Sequence, residues 1–319
     1  MPILDMPIEQ LRCYQGVNPR PDDFDEYWAK ALAELEKSPP EPELIAADFA
    51  APKVECFDLY FNGVRGARLH ARYVRPRDAA APHPAVVMFH GYGGNNGDWS
   101  EKLCAAAFGF SVASLDCRGQ SGLSSDGSVY KRKIQGGLLT RGMADGPENL
   151  YFRHTFLDTV QFARVMMAMP EVDPSRVGAT GGSQGGALTL VCAALEPRIK
   201  RAAAVYPFLC DYKRVWDMDL DCDAYADICA WFREYDPLHE HEQEFFKNMG
   251  YVDVQHLAPR IRGEVLVVTG LRDNICPPST QFAAYNKIIA PKRMDVYPEY
   301  KHEFIRGSSD RVLRFLGGL

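Results

Sequence analysis

Short apolar or alternating stretches, separated by glycine, proline and polar breaks, run along this chain from about residue 53 to its C-terminal end. Near the N-terminus they predict strands at 54–61, 69–75, 84–90 and 110–116, because brief β-branched or aromatic runs bounded by turn residues fit strands better than helices. Helical spacing takes over elsewhere. Between Thr155 and Met169, Phe156, Val160, Ala163 and Met167 recur at the interval of one buried helix face, and Asp173-Pro174-Ser175 closes a loop after it. Upstream, the stretch from Pro21 to Glu26 caps a helix that passes Trp28 and runs to about Lys37, where Pro39 and Pro40 end it.

From Tyr206 to about His256 the pattern turns acidic, aromatic and irregular. The whole predicts an α/β fold: a mostly parallel central sheet flanked by helices, with an N-terminal extension over 1–50 and a helical insertion at about 206–256 above the sheet edge. A chain of 319 residues that is 46% hydrophobic can bury one large core, and no linker breaks the alternation, so 1–319 reads as a single domain.

One of these breaks carries chemistry. Gly181-Gly182-Ser183-Gln184-Gly185 follows the apolar run 176–180, which places Ser183 at the tip of a strand-to-helix turn. Glycines two positions either side let the backbone turn sharply and lift the hydroxyl clear of the sheet. A glycine-rich start of a buried helix would give the same letters, so context decides. Asp273 ends the apolar run 265–270 as a strand-end acid, and His302 sits in a polar loop before the last helix. Serine, acid, histidine is the chain order of α/β-hydrolases, unlike those of chymotrypsin-like and subtilisin-like proteases. The chemistry needs all three, because serine is a poor nucleophile until an imidazole takes its proton, and a carboxylate must fix that imidazole's tautomer.

Acyl transfer also needs donors for the developing oxyanion. The strand 86–90 leads into Gly91-Tyr92-Gly93-Gly94, and in this architecture one backbone N–H comes from that loop and another from the residue after the nucleophile. Tyr92 and Gln184 are the expected donors. His90 reads as structural, bonding backbone beneath them. Phe208 and the Tyr92 ring are expected to crowd the acyl side of the pocket.

The remaining composition excludes several partners. A net charge of -6 disfavours nucleic acid and anionic membrane, and no apolar stretch approaches the roughly 18 residues that span a bilayer. Nucleotide cofactors are not indicated, since no phosphate-binding glycine motif stands in the required context. Nine cysteines form no Cys-x-x-Cys pair and read as reduced thiols, and Met1 to Asp5 has no basic region or long apolar core; the expectation is a cytoplasmic protein. His239-Glu-His241 is too closely spaced for a helical zinc pair and reads as a solvated helix face, so no metal is expected.

Taken together, Arg118-Gly119-Gln120, Gly181-Gly182-Ser183-Gln184-Gly185 and His302-Glu303 resemble the signatures of the acetyl xylan esterase and cephalosporin C deacetylase group, carbohydrate esterase family seven. The segments 207–210, 251–253, 274–286 and Asp22 to Trp28 are similar too, so the resemblance covers nearly the whole chain. It implies a triad of Ser183, Asp273 and His302, oxyanion donors at Tyr92 and Gln184, and Arg118 and Gln120 as supports of the active-site loops. It further implies loss of acetyl groups from small esters such as short acetylated xylo-oligosaccharides and the acetate of cephalosporin C, without a cofactor, in a homo-hexamer. Tyr206, the stretch 211–216 and Arg272, a charge beside the acid, depart from the pattern. A related hydrolase of peptides or lactones, and a silent binding module, are the competing readings; the second is disfavoured because no triad residue is missing.

Overall fold

Nine strands form one sheet in the computed structural model of the protein, which describes residues 4–132, 137–220 and 222–319. They are β1 (Glu43–Ala46), β2 (Val54–Asn62), β3 (Arg68–Pro76), β4 (His83–Phe89), β5 (Ser111–Leu115), β6 (Val172–Gly182), β7 (Ile199–Val205), β8 (Glu264–Gly270) and β9 (Lys292–Tyr297). Across the sheet the order is β1-β2-β3-β5-β4-β6-β7-β8-β9. The pairs from β1 to β5 through β3 are antiparallel, and every neighbouring pair from β5 to β9 is parallel. Strands β4 and β5 are buried along nearly their whole length, on both faces, because helices cover both sides of the sheet.

Two strands depart from the sequence pattern. β1 is exposed along its length and has no buried face to produce alternation. β7 carries Lys200, Arg201 and three alanines, good helix formers that tertiary pairing between β6 and β8 overrides. The loop expected at 173–175 is absorbed into the start of β6, where pairing with β4 jumps from Val172 to Val177. There Asp173 Oδ1 accepts from the Ser175 amide and hydroxyl, so the turn chemistry survives as a bulge.

The helices are α1 (Ile8–Leu11), α2 (Phe24–Leu35), α3 (Ser100–Ala107), α4 (Tyr151–Met167), α5 (Gln184–Leu195), α6 (Tyr212–Asp217), α7 (Ala226–Tyr235), α8 (Glu242–Met249), α9 (Val254–Leu257), α10 (Pro278–Lys287) and α11 (Ser308–Leu316). α4 and α5 pack on one face of the sheet, α3 and α11 on the other. Phe156, Val160, Ala163 and Met167 are buried as their spacing predicts, but α4 starts at Tyr151 and is buried nearly all round, as a central helix covered by further layers must be. One of those layers is α2. Its Trp28 is fully buried, lies over Phe156 with ring centroids 5.9 Å apart and donates Nε1–H to the Tyr251 carbonyl over 3.0 Å. Asp23 stands at its N-cap without a side-chain capping bond and instead accepts from the Tyr251 hydroxyl, so the acidic stretch ties the extension to the insertion rather than capping the helix.

That insertion, α6 to α9, spans the whole interval from β7 to β8. His239 and His241 lie in the turn before α8, not on a helix face; His239 has φ 55° and its ring stacks on Phe232 at 4.4 Å. Among the described residues no helix is long and apolar enough to cross a membrane.

Candidate active site

Strand β4 lies between β5 and β6, so the loops leaving its end and the end of β6 diverge and open a crevice at the carboxyl edge of the sheet. Four strand ends supply it. The loop after β4 holds Tyr92, the end of β6 holds Ser183, the end of β8 holds Asp273, and the loop after β9 holds His302.

Ser183 occupies a single strained position, φ 58° and ψ -120°, between the last residue of β6 and the first of α5, a backbone conformation that costs on the order of 1–3 kcal/mol for a residue with a Cβ. The flanking glycines have a different task from the one their spacing suggested. A Cβ on Gly181 would meet the Phe89 carbonyl oxygen at 2.4 Å, and one on Gly185 would meet the same atom at 2.0 Å. Both let α5 start directly against the end of β4, and the strain itself is carried by the serine.

His302 Nε2 lies 3.0 Å from Ser183 Oγ, and its Nδ1 lies 2.8 Å from Asp273 Oδ2. The carboxylate can only accept, so Nδ1 carries the proton and Nε2 is free to accept from the serine hydroxyl. Asp273 is fully buried. Its Oδ1 accepts from the Ile275 and Cys276 amides at 3.0 and 2.8 Å, and its Oδ2 from Gln281 Nε2 at 3.3 Å, which fixes the oxygen that faces the imidazole. The Tyr206 ring, 4.6 Å from the imidazole between centroids, packs beside it.

The Tyr92 and Gln184 amides donate to no protein acceptor among the described residues, and the first amide of a helix is normally left without an intrahelical partner. Two donors at this edge are therefore free for a ligand oxygen. The loops that present them are cross-braced by Gln120. Its Oε1 accepts from the Gly93 amide at 2.8 Å, and its Nε2 donates to Gln184 Oε1 and Tyr151 Oη, both at 2.9 Å.

Arg118 holds that brace in place from below. It is fully buried and forms a two-pronged pair with Asp158, Nε and Nη2 each 2.6 Å from a carboxylate oxygen, while Nη2 also donates to the Val64 carbonyl. Burial works against the guanidinium charge, yet Asp158 more than offsets it and holds the group charged. The Tyr151 hydroxyl donates to the Arg118 carbonyl over 2.6 Å. His90 donates from Nδ1 to the Gly91 carbonyl and accepts at Nε2 from the Cys117 amide, and burial pushes its pKa down. It is a neutral strut for the loop, in line with the structural role its position suggested.

Phe208 sits deeper than expected. Its ring is 1% exposed, 5.7 Å edge-on from Tyr92 and 4.5 Å from Tyr225, so it backs the Tyr92 ring instead of forming an open wall. The Tyr92 hydroxyl is fixed at the far side, donating to Asp227 Oδ2 over 3.3 Å and accepting from the Leu138 amide over 2.9 Å. Arg272 turns away from the acid toward Glu299, 3.2 Å off and exposed.

Gln281, Asp227 and Cys276 were not singled out from sequence. A buried acid needs donors, and the helix start after Asp273 was the place to seek them. Asp273, Cys276 and His302 place potential metal-ligand atoms within 4.8 Å of one another. Burial pushes the Cys276 thiol well up, while both ring nitrogens of His302 face hydrogen-bond partners. The donor set is thus committed to proton transfer and fits a metal poorly.

A family model described as acetyl xylan esterase matches residues 1–319. Among solved structures, acetyl xylan esterase 1 from Thermoanaerobacterium sp. JW/SL YS485 superposes with a TM-score of 0.97 at 51% identity, covering 99% of each chain. The acetyl xylan esterase from Paenibacillus sp. R4 gives 0.94 at 34% identity, covering 98% of this chain and 99% of that one. An acetyl esterase of Xylanibacter ruminicola is 29% identical over 291 residues, 88% of this chain. The chain spans 63% of the length of that curated relative.

Proposed function

The chain belongs to the acetyl xylan esterase family, and from that premise we propose that it is a serine carboxylesterase that removes acetyl groups from small acetylated substrates. The observation that carries this reading is the unbroken relay from Ser183 Oγ through His302 to Asp273, two hydrogen bonds of 3.0 and 2.8 Å.

In the proposed cycle His302 Nε2 takes the proton of Ser183 as Oγ attacks the acetyl carbonyl. The negative charge that forms on the carbonyl oxygen is met by the Tyr92 and Gln184 amides. Collapse expels the alcohol, which leaves with the proton from Nε2, and the acetyl group stays on Oγ. Water then attacks with His302 again as base, and acetate departs. Asp273 keeps the imidazole in one tautomer and stabilises the imidazolium throughout.

Short acetylated xylo-oligosaccharides and cephalosporin C-type acetate esters are the proposed substrates, and a homo-hexamer the proposed assembly; the acetyl xylan esterase relatives support the first, and the resemblance of the sequence signatures is the ground for the other two. The buried thiols Cys56, Cys117, Cys192, Cys210 and Cys276 suit a reducing cytoplasm. Mass spectrometry after reaction with a serine-directed phosphonate tests the nucleophile: the adduct is expected on the peptide that contains Ser183. Ser183→Ala should lower kcat on 4-nitrophenyl acetate by about 10⁴-fold or more while leaving the fold intact. Retained turnover, or an adduct elsewhere, would remove the proposal.

A further inference from the structure

A second cavity, of about 420 Å³, opens beside the C-terminal half of α7, lined among others by Lys131, Arg132, Trp231, Tyr235, Glu244 and Asn248. Its position follows from helix geometry. Asp227, Trp231 and Tyr235 are spaced four residues apart, so they share one face of α7. Asp227 accepts from the Tyr92 hydroxyl and the Leu139 amide and therefore anchors the start of that face behind the Tyr92 ring, one ring's width from the candidate active site. At about 1.5 Å per residue, Tyr235 lies roughly 12 Å further along the helix axis, a reach that a chain of a few linked sugar rings covers.

The lining has the chemistry of a sugar subsite. Trp231 and Tyr235 are only partly buried, and their rings stand 4.5 Å apart between centroids. The Arg132 guanidinium lies 5.4 Å above the Tyr235 ring, so the aromatic wall is braced before any ligand arrives. Around it Asn248, Glu244 and Lys131 offer both donors and acceptors, the combination that hydroxyl groups need. A phosphate site would require excess positive charge, whereas here Glu244 faces the same cavity and Lys131 Nζ lies 3.8 Å from Asp145. An apolar ligand would leave this polar rim unpaired.

We propose that this cavity is an outer subsite, where a sugar ring of an acetylated oligosaccharide packs its C–H face on Trp231 and Tyr235 while the acetyl group of another ring is cleaved at Ser183. It rests on the esterase reading, and it names the part of the substrate that the triad does not touch.

Trp231→Ala, Trp231→Phe, Tyr235→Ala and the exposed Arg132→Ala are to be compared with the unaltered protein on 4-nitrophenyl acetate and on acetylated xylotetraose. A remote binding contact should appear in KM alone. Trp231→Ala and Tyr235→Ala should raise KM for the tetraose about 5- to 10-fold, as expected for loss of one aromatic contact, with kcat and the 4-nitrophenyl acetate constants within about twofold. Trp231→Phe should recover most of the difference, and Arg132→Ala should give a smaller change of the same kind. Unchanged KM for the tetraose, a parallel fall on both substrates, or an unaltered protein that ignores the tetraose would each overturn the subsite. If Trp231→Ala does not fold, Tyr235→Ala and Arg132→Ala test the subsite by the same split between KM and kcat. No turnover of 4-nitrophenyl acetate by the unaltered protein would instead overturn the esterase reading itself.

Discussion

Gln120 and Gln184 are joined side chain to side chain, Nε2 to Oε1 over 2.9 Å, and the other end of the Gln120 amide accepts from Gly93 N–H at 2.8 Å. One side chain thereby sets the spacing of the two segments that carry the proposed oxyanion donors. Hydrogen bonds to an oxyanion matter most in the transition state, where removing one donor outright costs roughly 10²–10³ in kcat. Gln120→Ala leaves both amides present but lets them drift. Its kcat on 4-nitrophenyl acetate should fall about 10- to 100-fold with KM changed less than about threefold. A rise in KM alone would mean that Gln120 serves ground-state binding instead.

Tyr92 offers a different split, since its backbone and its ring have separate tasks. The amide survives substitution. The ring is pinned by Phe208 behind it and by Asp227 and Leu138 at its hydroxyl, a fixed bulk suited to limiting acyl length. Each methylene that a pocket accepts or excludes is worth about 1–3 kcal/mol, so Tyr92→Ala should raise the butyrate-to-acetate ratio of kcat/KM by about 10-fold or more. Tyr92→Phe, which keeps the ring and loses only the hydroxyl bonds, should still prefer acetate. Equal ratios in all three proteins would move the acyl pocket elsewhere.

The triad candidates were legible because each follows closely on the end of a strand and the three types fall in the chain order of an α/β-hydrolase. Ser183 between glycines, Asp273 after β8 and His302 after β9 need only chain order to be grouped. Arg118 was legible as a motif and not as physics: nothing local in Arg118-Gly119-Gln120 says that its guanidinium is buried against Asp158, forty positions away. Asp227 was invisible for the same reason, since its partners Tyr92 and Leu139 are distant in sequence, whereas Gln281 lies only eight residues after Asp273 and a search for donors to the acid would have reached it. The strand β7 was missed because its alanines speak for a helix until β6 and β8 claim them, and β1 because an exposed edge strand leaves no hydrophobic alternation.

Arg118 and Asp158 test how that hidden pair acts. Removing one partner strands a charge in the core, which costs about 3–5 kcal/mol, whereas replacing both with apolar groups of similar volume is often neutral. Asp158→Ala should therefore lower the urea unfolding midpoint strongly. The double variant Arg118→Met with Asp158→Leu should regain most of that stability, with Asp126, 3.5 Å from Arg118 Nη1, left without that partner, yet lose activity, because the ion pair no longer anchors the main chain whose carbonyl supports Tyr151 and through it Gln120. Full activity in the refolded double variant would show that the pair contributes stability without positioning the loop.

Acid should unfold this protein partly through two buried imidazoles. His154 donates from Nε2 to the Glu148 carbonyl and accepts at Nδ1 from the Ser128 hydroxyl. Burial, reinforced by Arg118, Arg65 and Arg153, pushes its pKa down to about 2. His256 is pushed down to about 3 by burial, with Lys287 and Arg20 adding to it. Unfolded, both rings return to the ordinary histidine value near 6.5. Between those limits each of these two rings binds more protons unfolded than folded, so its contribution to stability is full above about pH 7 and declines as pH falls, by up to about 1.4 kcal/mol per pH unit for each ring, while Asp253, whose carboxyl is pushed up to about 7 by burial, acts in the opposite sense, equally with and without His154. Carboxylates add to the decline below about pH 5, which makes pH 5 to 6.5 the diagnostic window. His154→Gln keeps a donor for the Glu148 carbonyl and cannot be protonated. Its unfolding free energy in urea should fall less steeply than that of the unaltered protein across this window, by close to one proton's worth at the lower end. Parallel slopes would mean that His154 takes up no proton on unfolding in this window, so that it is not held neutral by the fold.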